Sequence, residues 1–198
     1  MRFVLSIAFL LIALSTPALA QEPQPVEVFG GYSFFRPDGG GNLHGWDASV
    51  AFSLNRRIAI VGDFSGHYGS QSIRTEFINP LLPGTVVVID ADSDSSIHNI
   101  LAGPKIRFPI AGNEDVTPFA HVLLGASRLG ADATVRFGDL VLDSKFSDIS
   151  FAIAVGGGLD VKLSDSVALR VIQADYLVTN FGGNSQGNVR LSVGLVLH

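Results

Sequence analysis

The feature that most constrains this chain is a two-residue alternation of apolar side chains with small or polar ones. Between residues 45 and 54 every even position is apolar, and the odd positions are Gly, Asp, Ser or Ala. Such alternation gives a β-strand two faces of opposite polarity. The pattern recurs in eight segments: Val26–Arg36, Gly45–Leu54, Ile58–Tyr68, His98–Phe108, Pro118–Arg128, Ile149–Leu163, Val167–Thr179 and Asn188–His198. The sequence therefore predicts an all-β domain.

The first 20 residues read as a secretory signal peptide. Arg2 precedes the apolar run Phe3–Leu14, and the small-x-small end Ala18–Ala20 predicts cleavage before Gln21. The apolar run is too short to span a bilayer as an anchoring helix. We therefore expect a signal peptide over residues 1–20, a short periplasmic lead-in over 21–25 and one domain over 26–198.

The composition excludes several classes of protein. The chain has no cysteine, so disulfides, thiolate metal sites and cysteine catalysis are absent. Charged residues make up only 16% and the net charge is −5, which disfavours both disorder and a basic nucleic-acid-binding surface. Mean hydropathy is +0.38, yet beyond the N-terminus no apolar stretch is long enough for a membrane helix. An exported β-protein with no nucleic-acid partner fits these values.

The connections between the predicted strands alternate in length. Short links at residues 55–57 and 164–166, with a looser one at 109–117, alternate with links of 37–44, 69–97, 129–148 and 180–187. Short periplasmic turns and long extracellular loops are typical of outer-membrane barrels. We predict an eight-stranded antiparallel up-and-down transmembrane β-barrel in the outer membrane, with both termini in the periplasm. A soluble lipocalin-like barrel is the alternative, but its water-facing sides would carry more Lys and Glu.

The seventh segment breaks the alternation. Arg170 lies on its even face and Asp175 on its odd face, so a regular strand would place one charge in lipid. A β-bulge near Val171–Ile172 would return both charges to the lumen.

Charged residues on the predicted lumen side are balanced in sign. The acids are Glu27, Asp47, Asp63, Asp160 and Asp175, and the bases are Lys105, Arg107, Lys162, Arg170 and Arg190, with His121 beside them. Unpaired charges in a narrow interior are costly, so we expect ion pairs that plug the barrel, with Arg170 and Lys105 pairing with Asp63 and Asp175. A gated proton or ion path is the alternative.

Aromatic side chains are expected near the two membrane interfaces. They are Tyr32, Phe34, Trp46, Phe64, Tyr68, Phe108, Phe119, Tyr176 and Phe181.

Several short motifs carry a family resemblance. They are Gly30-Gly31-Tyr32-Ser33, Leu101-Ala102-Gly103-Pro104-Lys105, Thr117-Pro118-Phe119-Ala120-His121, Gly156-Gly157-Gly158-Leu159-Asp160, and Gln173-Ala174-Asp175-Tyr176 through Asn180-Phe181. With them the mature chain resembles the small outer-membrane β-barrel domain family of OmpA and OmpX type. The resemblance implies contact with outer-membrane lipid and lipopolysaccharide, insertion by the barrel-assembly machinery and a monomeric state. Such chains usually close on an aromatic residue, whereas this one closes on Leu197-His198.

Residues with catalytic or metal-binding chemistry are sparse. His67 and Ser70 form the only close His/Ser pair at a predicted rim, and no acid is placed to orient the histidine. A lipid A-modifying enzyme is therefore the less favoured alternative function. Asp90, Asp92 and Asp94 imitate the start of an EF-hand loop, but Ser95 and Leu101 occupy its required Gly and Glu positions, so we expect a solvated loop. No catalytic residues, metal or cofactor are predicted.

The two longest predicted loops contain strand signals of their own. Val86–Ile89 is β-branched, and Thr134–Phe137 and Leu140–Leu142 flank a two-residue turn at Gly138-Asp139. We expect these loops to extend the barrel wall as a protruding sheet whose edge captures a partner strand at residues 69–97 and 129–148. The predicted function is structural or surface-interacting through these extracellular loops, with adhesion or surface protection as the use. The alternative for the loops is that they only shield the barrel and face lipopolysaccharide sugars. A narrow porin is the alternative.

Overall fold

The barrel is an all-β structure in a computed structural model that describes residues 26–38, 40–78, 86–113, 115–137, 140–181 and 183–198. The predicted signal peptide and lead-in lie outside these residues. The strands are β1 (Val26–Arg36), β2 (Leu43–Ser53), β3 (Ile58–Ile78), β4 (Val86–Arg107), β5 (Val116–Phe137), β6 (Leu140–Lys162), β7 (Val167–Phe181) and β8 (Asn184–Leu197). Each pairs antiparallel with the next, and β1 pairs with β8 to close the ring. Within the described ranges, no helix is long and apolar enough to cross a membrane. The predicted eight-stranded barrel is confirmed.

The sequence alternation sets which face of each strand points into the lumen. In β1, Phe29, Ser33 and Phe35 are buried inside, whereas Val28 and Tyr32 are exposed on the outside. In the part of the barrel that β1, β2, β7 and β8 also form, the other strands keep the same division, so the outer surface there is apolar and most inward residues are small or polar. This is the reverse of a water-soluble barrel and suits a lipid environment.

The predicted bulge in β7 is confirmed. The register against β8 shifts between Arg170 and Gln173, and Val171 and Ile172 both face outward at 45% and 49% exposure. The extra residue changes which positions face the lumen. Arg170, Gln173 and Asp175 are therefore all buried inside the barrel.

Four strands are about twice as long as β1 and β2. β3, β4, β5 and β6 have 21 to 23 residues, against 11 in β1 and β2. Pairing of β3 with β4 continues to Ile78 and Val86, and pairing of β5 with β6 continues to Phe137 and Leu140. Most of residues 69–97 and 129–148, which were predicted to form loops, is therefore strand, and the predicted protruding sheet is confirmed. The predicted turn at Gly138-Asp139 lies outside the described residues.

An apolar cluster lies inside the barrel towards the long ends of β3–β6. It includes Phe35, Leu43, Ile97, Leu101, Leu123 and Leu177, each 5% exposed or less. At the opposite end, tight turns join β2 to β3 and β6 to β7. In the first, the Asn55 side chain accepts hydrogen bonds from the amides of Arg57 and Ile58 at 2.8 Å. Short turns and both termini of the barrel domain share this end, as the predicted orientation requires.

Candidate functional site

One fully buried guanidinium organises the centre of the lumen. Arg190 on β8 donates to both carboxylate oxygens of Asp63, at 2.7 and 3.1 Å. Its Nε and Nη2 also donate to Oδ2 of Asp175, at 2.9 and 2.7 Å. Asp47 lies 3.7 Å away as a third carboxylate. Arg190 therefore ties together β2, β3, β7 and β8.

A second charged cluster lies nearer the short-turn end. The Lys105 ammonium contacts Glu27 at 2.9 Å and Asp160 at 3.6 Å, and Arg107 contacts Glu27 at 2.7 Å. Arg170 donates to both oxygens of Asp160, at 2.8 and 3.1 Å. The planar fork of the Arg170 guanidinium matches the two oxygens of the Asp160 carboxylate. Each acid of this cluster, Glu27 and Asp160, therefore lies within ion-pair distance of a cation.

Gln173 joins the two clusters. Arg170 donates to the Gln173 side-chain oxygen at 2.8 Å, and the Gln173 amide donates to Asp175 at 2.9 Å. His121 Nε2 lies 2.6 Å from the other oxygen of Asp175. The lumen network, which we define as these two clusters with Gln173 and His121, is therefore continuous across the barrel.

Small polar side chains extend the lumen network towards the apolar cluster. The Ser192 hydroxyl donates to Asp47 at 2.7 Å, Ser33 lies 3.0 Å from Ser192, and His67 Nε2 lies 2.8 Å from Ser33. Gln173, Ser33 and Ser192 are uncharged, so a count of charges leaves them out of the predicted network. The β7 bulge places Gln173 in the lumen, and the alternation places Ser33 and Ser192 on the polar, inward face, which is the signal that finds them.

The predicted partners of two bases are wrong. Arg170 and Lys105 were expected to pair with Asp63 and Asp175, but both pair with Asp160 instead, and Arg190 takes the two predicted acids. Arg170 pairs with Asp160 because the two residues are direct cross-strand neighbours and so lie at the same height along the barrel axis. Lys162, also expected in the lumen, lies at the rim and pairs with Asp165 at 2.7 Å.

Two predicted interface aromatics face the lumen instead. Phe119 is 4% exposed and stacks against Arg170 and Lys105, whose charged groups lie 4.5 and 4.3 Å from its ring centre. Phe181 is 7% exposed. Phe119 belongs to the odd, inward face of β5, and the bulge places Phe181 on the inward face of β7. A second ring, Phe29, lies 4.3 Å from Arg170 on β1.

The other predicted aromatics lie on the outer face, and their place at the membrane interfaces stays a prediction. Tyr32 contacts His44 Nδ1 at 2.5 Å, and Tyr68 contacts His98 Nε2 at 3.0 Å. Those exposed by 45–55% are Tyr32, Trp46, Phe64, Tyr68, Phe108 and Tyr176; Phe34 is half-buried.

The weaker chemical alternatives are not assembled. His67 is buried in the lumen whereas Ser70 is exposed on the outer face, so the two cannot act as a catalytic pair. The acidic segment with Asp90, Asp92 and Asp94 is part of β4 and not a loop. Among the described residues, no group of three His, Asp or Glu side chains could hold a metal ion.

The protruding sheet comprises residues 69–78, 86–97, 129–137 and 140–151. Its outer face, continuous with the lipid-facing side of the barrel, is charged. Asp92 accepts a hydrogen bond from Arg136 at 2.7 Å, and Asp132 lies 3.7 Å from Lys145. Hydrogen bonds from Ser72 and Arg136 hold the pKa of Asp92 below its usual range.

The inner face of the protruding sheet is apolar and open. By the strand alternation, Ile73, Val135, Leu140, Leu142 and Phe146 lie on the side continuous with the lumen, and they are 37–62% exposed. The polarity of the two faces is thus inverted relative to the membrane-spanning part.

Both edges of the protruding sheet lack a strand neighbour in the described part of the chain. β2 pairs with β3 only as far as Tyr68, and β7 pairs with β6 only from Ala152. Residues 69–78 and 140–151 therefore present unpaired backbone edges.

Comparison with known proteins agrees with this architecture. The family model for the outer membrane protein beta-barrel domain matches residues 6–197. Ail, the attachment invasion locus protein of Yersinia pestis, is 22% identical, with a TM-score of 0.50 over 88% of this chain and 99% of Ail. Neisserial surface protein A is 16% identical, with a TM-score of 0.46 over 87% of this chain and 96% of that one. OprG from Pseudomonas aeruginosa is 10% identical, with a TM-score of 0.41 over 89% and 96%. No curated protein sequence matches. The chain belongs to the outer membrane protein beta-barrel domain family and is a protein of the bacterial outer membrane.

Proposed function

We propose that this barrel is a non-enzymatic surface protein that binds an extracellular partner on the inner face of its protruding sheet. The observation that carries the proposal is the inverted polarity of that sheet. Its outer face has the charges of a water-exposed surface, so the sheet stands beyond the membrane. Its inner face instead holds five half-exposed apolar side chains.

Contiguous exposed apolar surface in water favours binding. Burying one Leu or Phe side chain fully contributes about 1.5–3 kcal/mol, so five partly exposed side chains supply enough for a specific complex. The unpaired edge of β6, residues 140–151, adds backbone donors and acceptors. An extended partner segment can pair with this edge while its alternate side chains pack on Leu142 and Phe146.

The packed lumen disfavours the alternative of a narrow channel. Arg190 and Asp175 are no more than 2% exposed at the centre, and the apolar cluster covers them towards the long-strand end. Moving an ion through this region would require breaking charge pairs inside a low-dielectric interior. Purified protein in a planar bilayer should therefore show no stable openings; regular conductance steps would favour the channel.

The proposal is tested by changing the inner face without touching the barrel. The triple variant Ile73→Ser/Leu142→Ser/Phe146→Ser should abolish adherence of expressing bacteria to a cultured epithelial layer. The control, Arg136→Ser/Asp143→Ser, changes the outer face of the same sheet and should adhere normally. Both should keep heat-modifiable gel migration, which shows a folded barrel.

Removal of the hairpin gives a second test. Replacing Ala131–Ser147 by a short turn should leave the barrel folded and also abolish adherence. Unchanged adherence in both the triple variant and this deletion would contradict the proposal and leave a shielding role for the protruding sheet.

A further inference from the structure

A recess opens at the mouth of the lumen, where the apolar cluster ends and the inner face of the protruding sheet begins. Its volume is about 250 Å³. Leu43 and Ile97 of the apolar cluster form its floor, and Leu129 packs against the cluster beside them. Phe181 on β7 and Asn42 in the connection between β1 and β2 line its sides. We call this recess the mouth pocket.

A step from large to small residues along the inner face creates the mouth pocket. Ser95 on β4 lies directly across from Gly69 on β3 and from Ala131 on β5. In the next inward row towards the membrane, Ile97 pairs with Leu129. The small residues leave space above the larger ones, and the pocket therefore has an apolar floor that is open from the extracellular side.

The lining of the mouth pocket is uncharged. Among the residues that the structure describes, none that lines it is ionisable. Its rim carries three carboxamide side chains, Asn42, Gln71 and Gln186, and these form no hydrogen bond within the described part of the chain. A charge placed here would lose water without gaining a counter-charge. The pocket therefore fits a neutral group that is apolar at its inner end and has hydrogen-bonding atoms at its outer end.

Size and polarity decide which neutral group fits best. Sites that hold a whole drug-sized molecule measure about 300–1,000 Å³, so the mouth pocket suits a single side chain. A sugar is disfavoured, because its hydroxyls would meet Ile97 and Leu129 without hydrogen-bond partners. A Leu or Phe side chain instead matches the apolar floor. The peptide groups on either side of it can bond to the carboxamides of the rim, which both donate and accept.

We propose that the mouth pocket binds one Leu or Phe side chain from an extended segment of the extracellular partner, while the flanking peptide groups bond to Gln71 and Gln186. This inference rests on the proposed function, because the pocket is continuous with the partner-binding surface: Gln71 is the inward neighbour of Ile73 on β3. Apolar side chains seated in desolvated pockets dominate the affinity of many interfaces. The pocket is therefore the anchor of the complex, and the rest of the inner face is its flanking surface.

The first experiment measures the pocket alone, with N-acetylleucinamide as the probe, because this molecule has one apolar side chain between two peptide groups. In the detergent-solubilised barrel with labelled isoleucine methyl groups, the NMR signal of Ile97 should shift and saturate at a dissociation constant of about 1 mM. The signal of Ile100, which is exposed on the outer face, should not follow this curve. N-acetylglycinamide lacks the side chain and N-acetyllysinamide carries a charge, so each should bind at least about tenfold more weakly.

Ser95→Leu fills the mouth pocket and should weaken binding of the probe by at least about tenfold. The control Ser147→Leu makes the same change on the outer face of β6 and should bind as the wild type does. If Ser95→Leu does not give a heat-modifiable barrel, Ser93→Leu, which fills the pocket from the next inward position of β4, takes its place. Lack of saturable binding of the probe to the wild type, or wild-type affinity in the filled variant, would overturn the proposal.

The second experiment connects the pocket to the partner through adherence to the epithelial layer. Ser95→Leu should reduce adherence by at least about tenfold, and Ser147→Leu should not. Normal adherence of Ser95→Leu, together with loss of adherence in Ile73→Ser/Leu142→Ser/Phe146→Ser, would overturn the anchor and leave the proposed function in place. Normal adherence of both would reject the proposed function too, and probe binding that Ser95→Leu still blocks would then assign the pocket to a free neutral amide instead of a partner protein.

Discussion

Replacing Arg190 by Met tests whether the lumen network holds the barrel together. Arg190 is the only cation within ion-pair distance of Asp63 among the described residues, and both side chains are at most 2% exposed. Removing one partner of a buried pair costs about 3–5 kcal/mol because the other charge is left without compensation. Asp175 keeps its contacts with His121 and Gln173. Asp47 lies farther from Arg190, at 3.7 Å, and keeps the hydrogen bond from Ser192, so we assign most of the loss to Asp63. Arg190→Met should therefore lower the free energy of unfolding by about 3–5 kcal/mol.

The measurement is urea unfolding of the protein refolded in lipid vesicles. Trp46 is the single tryptophan and faces outward at 45% exposure, so its fluorescence reports the loss of the lipid contact. The midpoint and slope of the transition give the free energy of unfolding.

Two further variants test whether Asp63 is left uncompensated in Arg190→Met. Arg136→Met removes an exposed pair and should cost less than about 1 kcal/mol. Arg190→Met/Asp63→Asn removes the stranded charge and should be more stable than Arg190→Met alone. A double variant no more stable than the single one, or a single variant as stable as Arg136→Met, would refute the assignment of the loss to an uncompensated carboxylate.

Three other changes have outcomes set by the structure. Gly156→Val should prevent formation of a heat-modifiable barrel, because a Cβ there would lie 2.0 Å from an Asp175 oxygen and 2.4 Å from the Ala174 carbonyl; normal gel migration would contradict this. Deleting Val171 should remove the bulge and leave Arg170 and Gln173 facing the lumen, so the barrel should still fold. Deleting Val178 from the regular part of β7 should instead turn Thr179 and Phe181 towards lipid and block folding. Heat-modifiable gel migration compares the two deletions. Hydrogen bonds from Ser72 and Arg136 hold the pKa of Asp92 in the folded protein below its value in the unfolded chain. The resulting stabilisation is present above the unfolded-state pKa and is lost as the pH falls through the folded-state pKa. Backbone amides of β4 and β5 beyond the membrane should then exchange faster in acid in the wild type, and Asp92→Asn should show no such change.

The sequence predicted the membrane-spanning part well because lipid imposes one rule on every strand. Outward positions such as Tyr32 and Trp46 must be apolar or amphipathic because they face lipid. This requirement produces the alternation in the sequence, and the strand count and the bulge at Val171–Ile172 can be derived from that alternation. The same rule places Phe119 and Phe181 inside the lumen, where they lie, and their assignment to the interfaces was wrong because it followed residue type instead of position. Lys162 was predicted inside but lies at the rim.

Strand length and pairing inside the lumen were harder to predict for a physical reason. Beyond the membrane neither face of β3–β6 contacts lipid, so no alternation of apolar and polar residues is required there. Stretches such as Asp90–Ser96 therefore have the composition of a solvated loop, although they pair in register with both neighbouring strands. Which acid meets which base depends on the tilt and stagger of the strands around the ring. That stagger places Arg190 within reach of Asp63, 127 residues away in sequence, and no local pattern encodes it.

The position of Arg190 on the last strand has a consequence for how the barrel assembles. Until β8 closes against β1, Asp63 on β3 and Asp175 on β7 face an interior without their main cation. A seven-stranded barrel without β8 would therefore hold uncompensated acids within the membrane. Pairing of β8 with β1 closes the ring and brings in the cation that neutralises its interior, so closure and charge neutralisation happen together.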